Sequence, residues 1–191
     1  MSQWWSRGVD GRVRLQLVPA EAATLVGLVA ELRQILDRPA DDAVMQRLFP
    51  RAYLDPTEDR AEEIWRALAG PELLRERLDR LDSLARELEP IARSDRRGSI
   101  VLDPDAEAMW LGVLTDARLA LGTALGVKED GDDDQPGRGE PEASAMDADD
   151  PRASAWHLYH VLTYFQGELI DVLLDALPEE GFDDFEAPHD A

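Results

Sequence analysis

The chain has no cysteine and a single lysine, Lys128, among its 191 residues. The first absence excludes disulfides, thiolate zinc sites, cysteine nucleophiles and thiol redox switching together, and it fits a reducing compartment. No apolar run approaches the roughly 20 residues that span a bilayer. Residues 1–8 carry Trp4 and Trp5 but no apolar core of the signal-peptide kind. These absences predict a cytoplasmic protein with no membrane contact. Nucleophile and phosphate motifs are missing as well: there is no Gly-x-Ser-x-Gly elbow, and Gly137-Arg138-Gly139 precedes no helix. Lys128, at the edge of a polar segment, is a poor Schiff-base candidate. Carboxylate pairs such as Glu62 and Glu63, or Glu168 and Asp171, do acid–base work only inside a shaped pocket. His157 and His160 share a helix face, but no carboxylate stands three residues before either, and the Glu-x-x-His string at Glu186 crosses Pro188. No catalytic residue, metal or cofactor is predicted.

What is abundant is acid. Asp and Glu number 41 against 20 Lys and Arg, a net charge of −21. Residues 128–150 hold ten acids and two bases with no Val, Ile, Leu or aromatic side chain, and residues 178–191 hold six acids and neither Lys nor Arg. The first segment buries too little to offset its ordering entropy and is predicted to be a flexible linker. The second is predicted to be an acidic tail, with Phe182 and Phe185 as its apolar groups. What remains carries −7, so the net charge speaks to solubility more than to ligand. The expected organisation is a single helical domain over 1–177, interrupted by the linker at 128–150 and followed by the tail at 178–191.

Within that domain the period is helical. Leu25, Leu28, Leu32 and Ile35 form one face after Pro19. Leu74, Leu78, Leu81, Ala85 and Leu88 form a stripe on a surface helix with i,i+4 pairs Arg75–Asp79, Glu76–Arg80 and Asp82–Arg86. Gly70-Pro71 is expected to separate that helix from a shorter one holding Ile64, Trp65 and Leu68, and another short helix is expected over residues 41–48. Two helices are apolar around most of their circumference, one through Trp110, Leu114, Ala117, Leu121 and Leu125, the other through Leu158, Leu162, Phe165, Leu169 and Leu173. They are expected to be central and packed together. Asp55-Pro56, Asp103-Pro104 and Asp150-Pro151 mark helix starts. Val13, Leu15 and Leu17 alternate with polar residues after Asp10-Gly11, a type I′ hairpin signal, and Gly98-Ser-Ile-Val-Leu102 suggests a third strand near 99–102. The predicted fold is mainly α: a helical bundle with two central apolar helices and a small N-terminal antiparallel β-hairpin.

The hairpin also carries Arg7, Arg12 and Arg14, with Trp4 and Trp5 nearby, which offers a basic wing for nucleic acid. The arginines of the long helix are interspersed with acids and read as ion-paired surface. The acidic linker and tail oppose DNA.

Three strings are less generic: Arg47-Leu-Phe-Pro-Arg-Ala-Tyr53, Asp116-Ala-Arg-Leu-Ala-Leu-Gly122 and Tyr159-His-Val-Leu-Thr-Tyr-Phe-Gln166. With Val18-Pro-Ala-Glu-Ala22, they resemble an actinobacterial family catalogued as a domain of unknown function, number two thousand and seventeen. The resemblance runs from the hairpin to Leu177 and skips the acidic linker. It implies a helical cytoplasmic protein without established enzyme activity, commonly encoded beside the protease adaptor ClpS. One relative is an oxidative-stress transcriptional regulator that acts with a sigma factor through a cysteine pair. This chain has no cysteine, so that thiol switch does not carry over.

Asp116 and Arg118, two apart on a helix, point about 200° from each other and cannot pair along it. Arg118 is expected to reach the last helix, at Glu168 or a backbone carbonyl. Tyr159, Thr163 and Gln166 share a face by their spacing of four and three. A hydrogen-bonded network joining the two central helices is favoured for these residues over a binding site. Pro50 and Tyr53 are expected to cover the bundle end, with Arg47 bonded to a loop carbonyl. The leading functional expectation is a non-enzymatic regulatory domain that binds an unidentified protein partner. The alternatives are a DNA-binding transcriptional regulator using the basic hairpin, and an enzyme with a site between the central helices.

Overall fold

The computed structural model describes residues 4–127 and 151–175; the expected linker at 128–150 and tail at 178–191 lie outside them. The fold is mainly α, with a three-stranded antiparallel sheet at the N-terminal side of the bundle. Strands β1 (Trp5–Arg7), β2 (Val13–Leu17) and β3 (Gly98–Leu102) lie in that order, and Leu15 stands opposite both Trp5 and Ile100. The alternation read from the sequence sets this register: Val13, Leu15 and Leu17 are buried, and a slip by one residue would turn all three to solvent.

The turn differs from the type I′ expectation. Gly11 N donates to the Gly8 carbonyl at 2.9 Å and Gly8 N donates to the Arg12 carbonyl at 2.8 Å. The loop therefore has three residues, 9–11, with Gly11 in the left-handed region at φ 77. Asp10 uses its carboxylate to accept from Arg12 N at 3.3 Å.

Helix α1 (Pro19–Leu36) starts at Pro19, where Glu21 accepts from Val18 N at 2.8 Å. A short α2 (Ala43–Leu48) is capped by Asp42. A 3₁₀ turn at Pro56–Glu58, capped by Asp55, leads into α3 (Asp59–Ala92). The expected break at Gly70-Pro71 does not occur: α3 runs unbroken through Pro71. One missing N–H and the ring's clash with the preceding turn cost about 3 kcal/mol. Both flanks are anchored, by Glu62 and Arg66 on one side and the Leu81, Leu84 and Leu88 stripe on the other, and these outweigh the defect. Of the expected ion pairs, Arg75–Asp79 and Glu76–Arg80 form, at 2.5 and 3.6 Å. Asp82 instead pairs with Arg33 of α1, which packs along α3, and Arg86 donates to Ser83 Oγ at 2.9 Å.

Helix α4 (Pro104–Leu125), capped by Asp103, touches α1, α2, α3, β3 and α5 (Pro151–Leu174). An aromatic cluster fastens the sheet to the two apolar helices. The Trp5 ring lies 5.5 Å from Trp110 and 4.9 Å from Phe165, and its Nε1 donates to the Phe165 carbonyl at 2.9 Å.

Candidate functional site

The residues of the Asp116–Gly122 string sit on α4, and they divide between its two sides. Arg118 faces α5. Its Nε donates to Thr163 Oγ1 at 3.1 Å, its Nη1 donates to Gln166 Oε1 at 2.8 Å, and its guanidinium lies 5.9 Å from the centre of the Tyr159 ring. Gln166 Nε2 donates onward to Thr115 Oγ1 at 2.8 Å. Gly122 closes the same contact, since a Cβ there would come within 3.3 Å of Tyr159 Cε2. Arg118, Tyr159, Thr163 and Gln166 are thus brought together as a network between α4 and α5. Glu168 is not the partner expected for Arg118; it is buried and accepts from Trp4 N at 3.4 Å.

Asp116 belongs to a different cluster. Its carboxylate accepts from Arg77 Nε of α3 at 3.1 Å, and Arg77 Nη2 donates to the Leu48 carbonyl at 2.9 Å with its guanidinium 4.5 Å over the Phe49 ring. Burial raises the Asp116 carboxyl above its usual value, against the attraction of Arg77. Asp116 and Arg118 are therefore the two hands of α4, one holding α3 with the end of α2, the other holding α5. Arg77 is ion-paired, as expected for the arginines of the long helix, but half-buried and across to α4 rather than on the surface of its own helix. The available signal for that reach was its place at the edge of the Leu74, Leu78 and Leu81 stripe, where a long side chain reaches a neighbouring helix.

The Arg47–Tyr53 string lies on α2 and the loop after it. Ala52 N and Tyr53 N donate to Glu62 Oε2 of α3 at 3.0 and 3.1 Å, and Arg66 donates to the other Glu62 oxygen. Arg66, with those two amides, holds the Glu62 carboxyl below the usual range against the effect of burial. Arg51 donates to the Tyr53 carbonyl at 3.0 Å and pairs with Asp59 at 2.6 Å. Tyr53 and Pro50 thus sit on a loop pinned by α3, and Arg47 stands in the last turn of α2.

The basic hairpin is largely engaged within the fold. Arg7 donates to the Gly11 carbonyl and, at 2.8 Å, to the Val172 carbonyl of α5, while Arg14 pairs with Asp10 at 2.8 Å. Arg12 is exposed. Trp4 and Trp5 are turned into the aromatic cluster, away from any ligand at the hairpin; Trp4 Nε1 donates to Glu21 at 3.0 Å.

An open groove of about 700 Å³ lies between α1 and α3, with Val26, Val29 and Ala85 in its lining and the Arg33–Asp82 pair across it. It shares no residue with the α4–α5 network. Among the described residues, no group of three or more His, Asp and Glu side chains is placed to hold a metal ion, and no helix is long and apolar enough to cross a membrane. His157 and His160 are exposed, and the His160 ring stacks on Trp156.

Fold and geometry together define a helical domain whose motif residues join its own elements. A family model described as a domain of unknown function (DUF2017) matches residues 1–173, and the chain belongs to that family. Neither the comparison with curated proteins nor that with solved structures gave a match.

Proposed function

We propose that this chain is a non-enzymatic, regulatory protein-binding domain that docks its partner on the outer face of the first turns of α3, residues 59–70. One observation carries the reading. Here α3 turns the Glu62 carboxylate inward, 5% exposed, while Ile64 and Leu68 face out at 50% and 77% exposure. An amphipathic helix oriented this way finds its apolar contact outside its own domain. The exposed acids Glu58, Glu63 and Glu72 flank this face, on which Arg60 is the exposed base, and they favour a partner with an apolar groove and a basic rim. Supporting the non-enzymatic part, Arg118, Thr163, Gln166 and Thr115 satisfy one another's hydrogen bonds. The DNA-binding reading draws less support, because Arg7 and Arg14 have partners within the fold.

The test compares the wild-type chain with Leu68→Glu as baits in the native host. A protein retained by the first and lost by the second, with helical circular dichroism unchanged, is the expected result. Identical recoveries from both baits would refute the reading. Retardation of DNA at low ionic strength that weakens as salt is added would favour the hairpin instead.

A further inference from the structure

The sheet has β1 and β3 as its two edge strands, and the hydrogen-bond pattern fixes which groups line the β3 edge. In the β1–β2 pair, Gly8 bonds to Arg12 and Gln16 N donates to the Trp4 carbonyl. Antiparallel pairs alternate between bonded and non-bonded, so Arg14 and Gln16 direct their backbone groups to β1. Val13, Leu15 and Leu17 then direct theirs to β3, where they stand opposite Leu102, Ile100 and Gly98. Ser99 and Val101 consequently aim their N–H and C=O groups away from the sheet. Among the described residues, neither makes a further backbone bond. The strand has none of the usual edge protection: it contains no proline, no charge and no bulge, and Val101 is 42% exposed. Charge sits only at its ends, Arg97 before it and Asp103 after it.

We propose that β3 pairs antiparallel with β3 of a second copy of this chain, about a two-fold axis at Ile100, to form a six-stranded sheet. The axis puts Ser99 opposite the second copy's Val101. These are the residues whose backbone groups point outward, so two such pairs exchange four hydrogen bonds. Ile100 meets its own copy in the close, non-bonded position on the inner face, where it is half-buried in the single chain. The same axis sets Arg97 beside the second copy's Asp103. Arg97 is exposed and has no ion pair among the described residues, and Asp103 uses only Oδ1 to cap α4. Parallel pairing in register would instead oppose Arg97 to Arg97. Charge, bond direction and apolar face therefore agree on one occupant and one orientation. This surface is separate from the α3 face and stands or falls independently of it.

Sedimentation velocity of the full chain tests the proposal. The wild-type protein is expected to have twice the 21.3 kDa mass of one chain. Val101→Pro removes an outward donor without removing a β2–β3 bond, and it is expected to sediment as a monomer with unchanged circular dichroism. Arg97→Glu, on an exposed side chain, keeps the test decisive if the proline variant fails to fold. It is expected to weaken dimerisation roughly tenfold or more by opposing two acids across the axis. A wild-type protein that stays monomeric at all concentrations would overturn the proposal, as would dimers of unchanged affinity in Arg97→Glu and any folded Val101→Pro protein.

Discussion

Replacing Arg77 by methionine keeps the aliphatic stem and removes the guanidinium that joins three parts of the fold. Arg77 donates to Asp116 on α4 and to the Leu48 carbonyl at the end of α2, and it covers the Phe49 ring. Its side chain and that of Asp116 are 19% and 17% exposed, so solvent screens the pair only in part. A hydrogen bond to a charged group contributes about 1.5–3 kcal/mol, and a cation over an aromatic ring adds about 0.5–2 kcal/mol. Breaking a well-buried pair costs about 3–5 kcal/mol because one charge is left behind. With the residual exposure, Arg77→Met is expected to lose about 3 kcal/mol, or roughly 6–12 °C in Tm at 2–4 °C per kcal/mol. Urea unfolding followed by the fluorescence of the buried Trp5 and Trp110, at fixed protein concentration, measures it.

The source of the loss has its own signature. Asp116 already binds its proton more tightly in the folded chain than an exposed aspartate does, because of burial, and removing Arg77 strengthens that preference. A carboxyl whose folded pKa is raised opposes folding as pH rises from its unfolded value through its folded value. The Arg77→Met deficit should therefore shrink on going from neutral to acid pH. Asp116→Asn removes the charge itself and should cost about 1–2 kcal/mol, since Arg77 keeps the Leu48 carbonyl and the Phe49 ring. The double variant should be more stable than the sum of the two losses predicts, by about 1 kcal/mol or more. A single-variant loss under about 0.5 kcal/mol, or additive losses with no pH dependence, would refute the assignment of this pair as the α3–α4 tie.

Three further outcomes follow from the same contacts. Arg118→Ala should cost about 1–2 kcal/mol, because Gln166, 6% exposed, loses a charged donor; an unchanged melting temperature would show that the α4–α5 network does not hold the helices. Glu62→Gln should flatten the stability curve at acid pH. Wild-type Glu62 is held below its usual pKa, so the stability it contributes is lost as pH falls through its folded value, and equal acid sensitivity in the two proteins would contradict this. Trp5→Phe should cost about 2 kcal/mol through the lost bond to the Phe165 carbonyl and the space left beside Trp110, measured by thermal unfolding; a loss near zero would contradict the packing.

The strands and four of the helices were legible because they rest on local periodicity. Alternating Val13, Leu15 and Leu17 specify a strand, and a proline after an N-cap aspartate specifies the start of α4. Legibility ended where distant segments decide. Pro71 reads as a break, yet loop contacts at Glu62 and Arg66 hold the helix across it. Arg86 reads as the partner of Asp82, but α1 brings Arg33 there first. Thr163 and Gln166 were recovered as partners of one network by their shared face, whereas Glu168, two residues past Gln166, points about 200° away and lies against Trp4 instead. Arg77 gave only its position at a stripe edge, since helix–helix packing sets which neighbour it meets.

The same reasoning separates holding from binding in this chain. Where polar residues recur at helical spacing, as at Asp116, Arg118, Thr163 and Gln166, each has a partner inside the fold, and a group with its bonds satisfied has little left to offer a ligand without breaking them. Exposed groups without a partner in the fold include the aliphatic side chains of Ile64 and Leu68 and the outward backbone groups of Ser99 and Val101. None of these belongs to a polar motif. Apolar exposure and an open strand edge cost the isolated chain nothing that sequence spacing records, yet they are the surfaces with most to gain from a second molecule. Substitutions in the motif strings should therefore act first on stability, and those at Leu68, Arg97 and Val101 first on association.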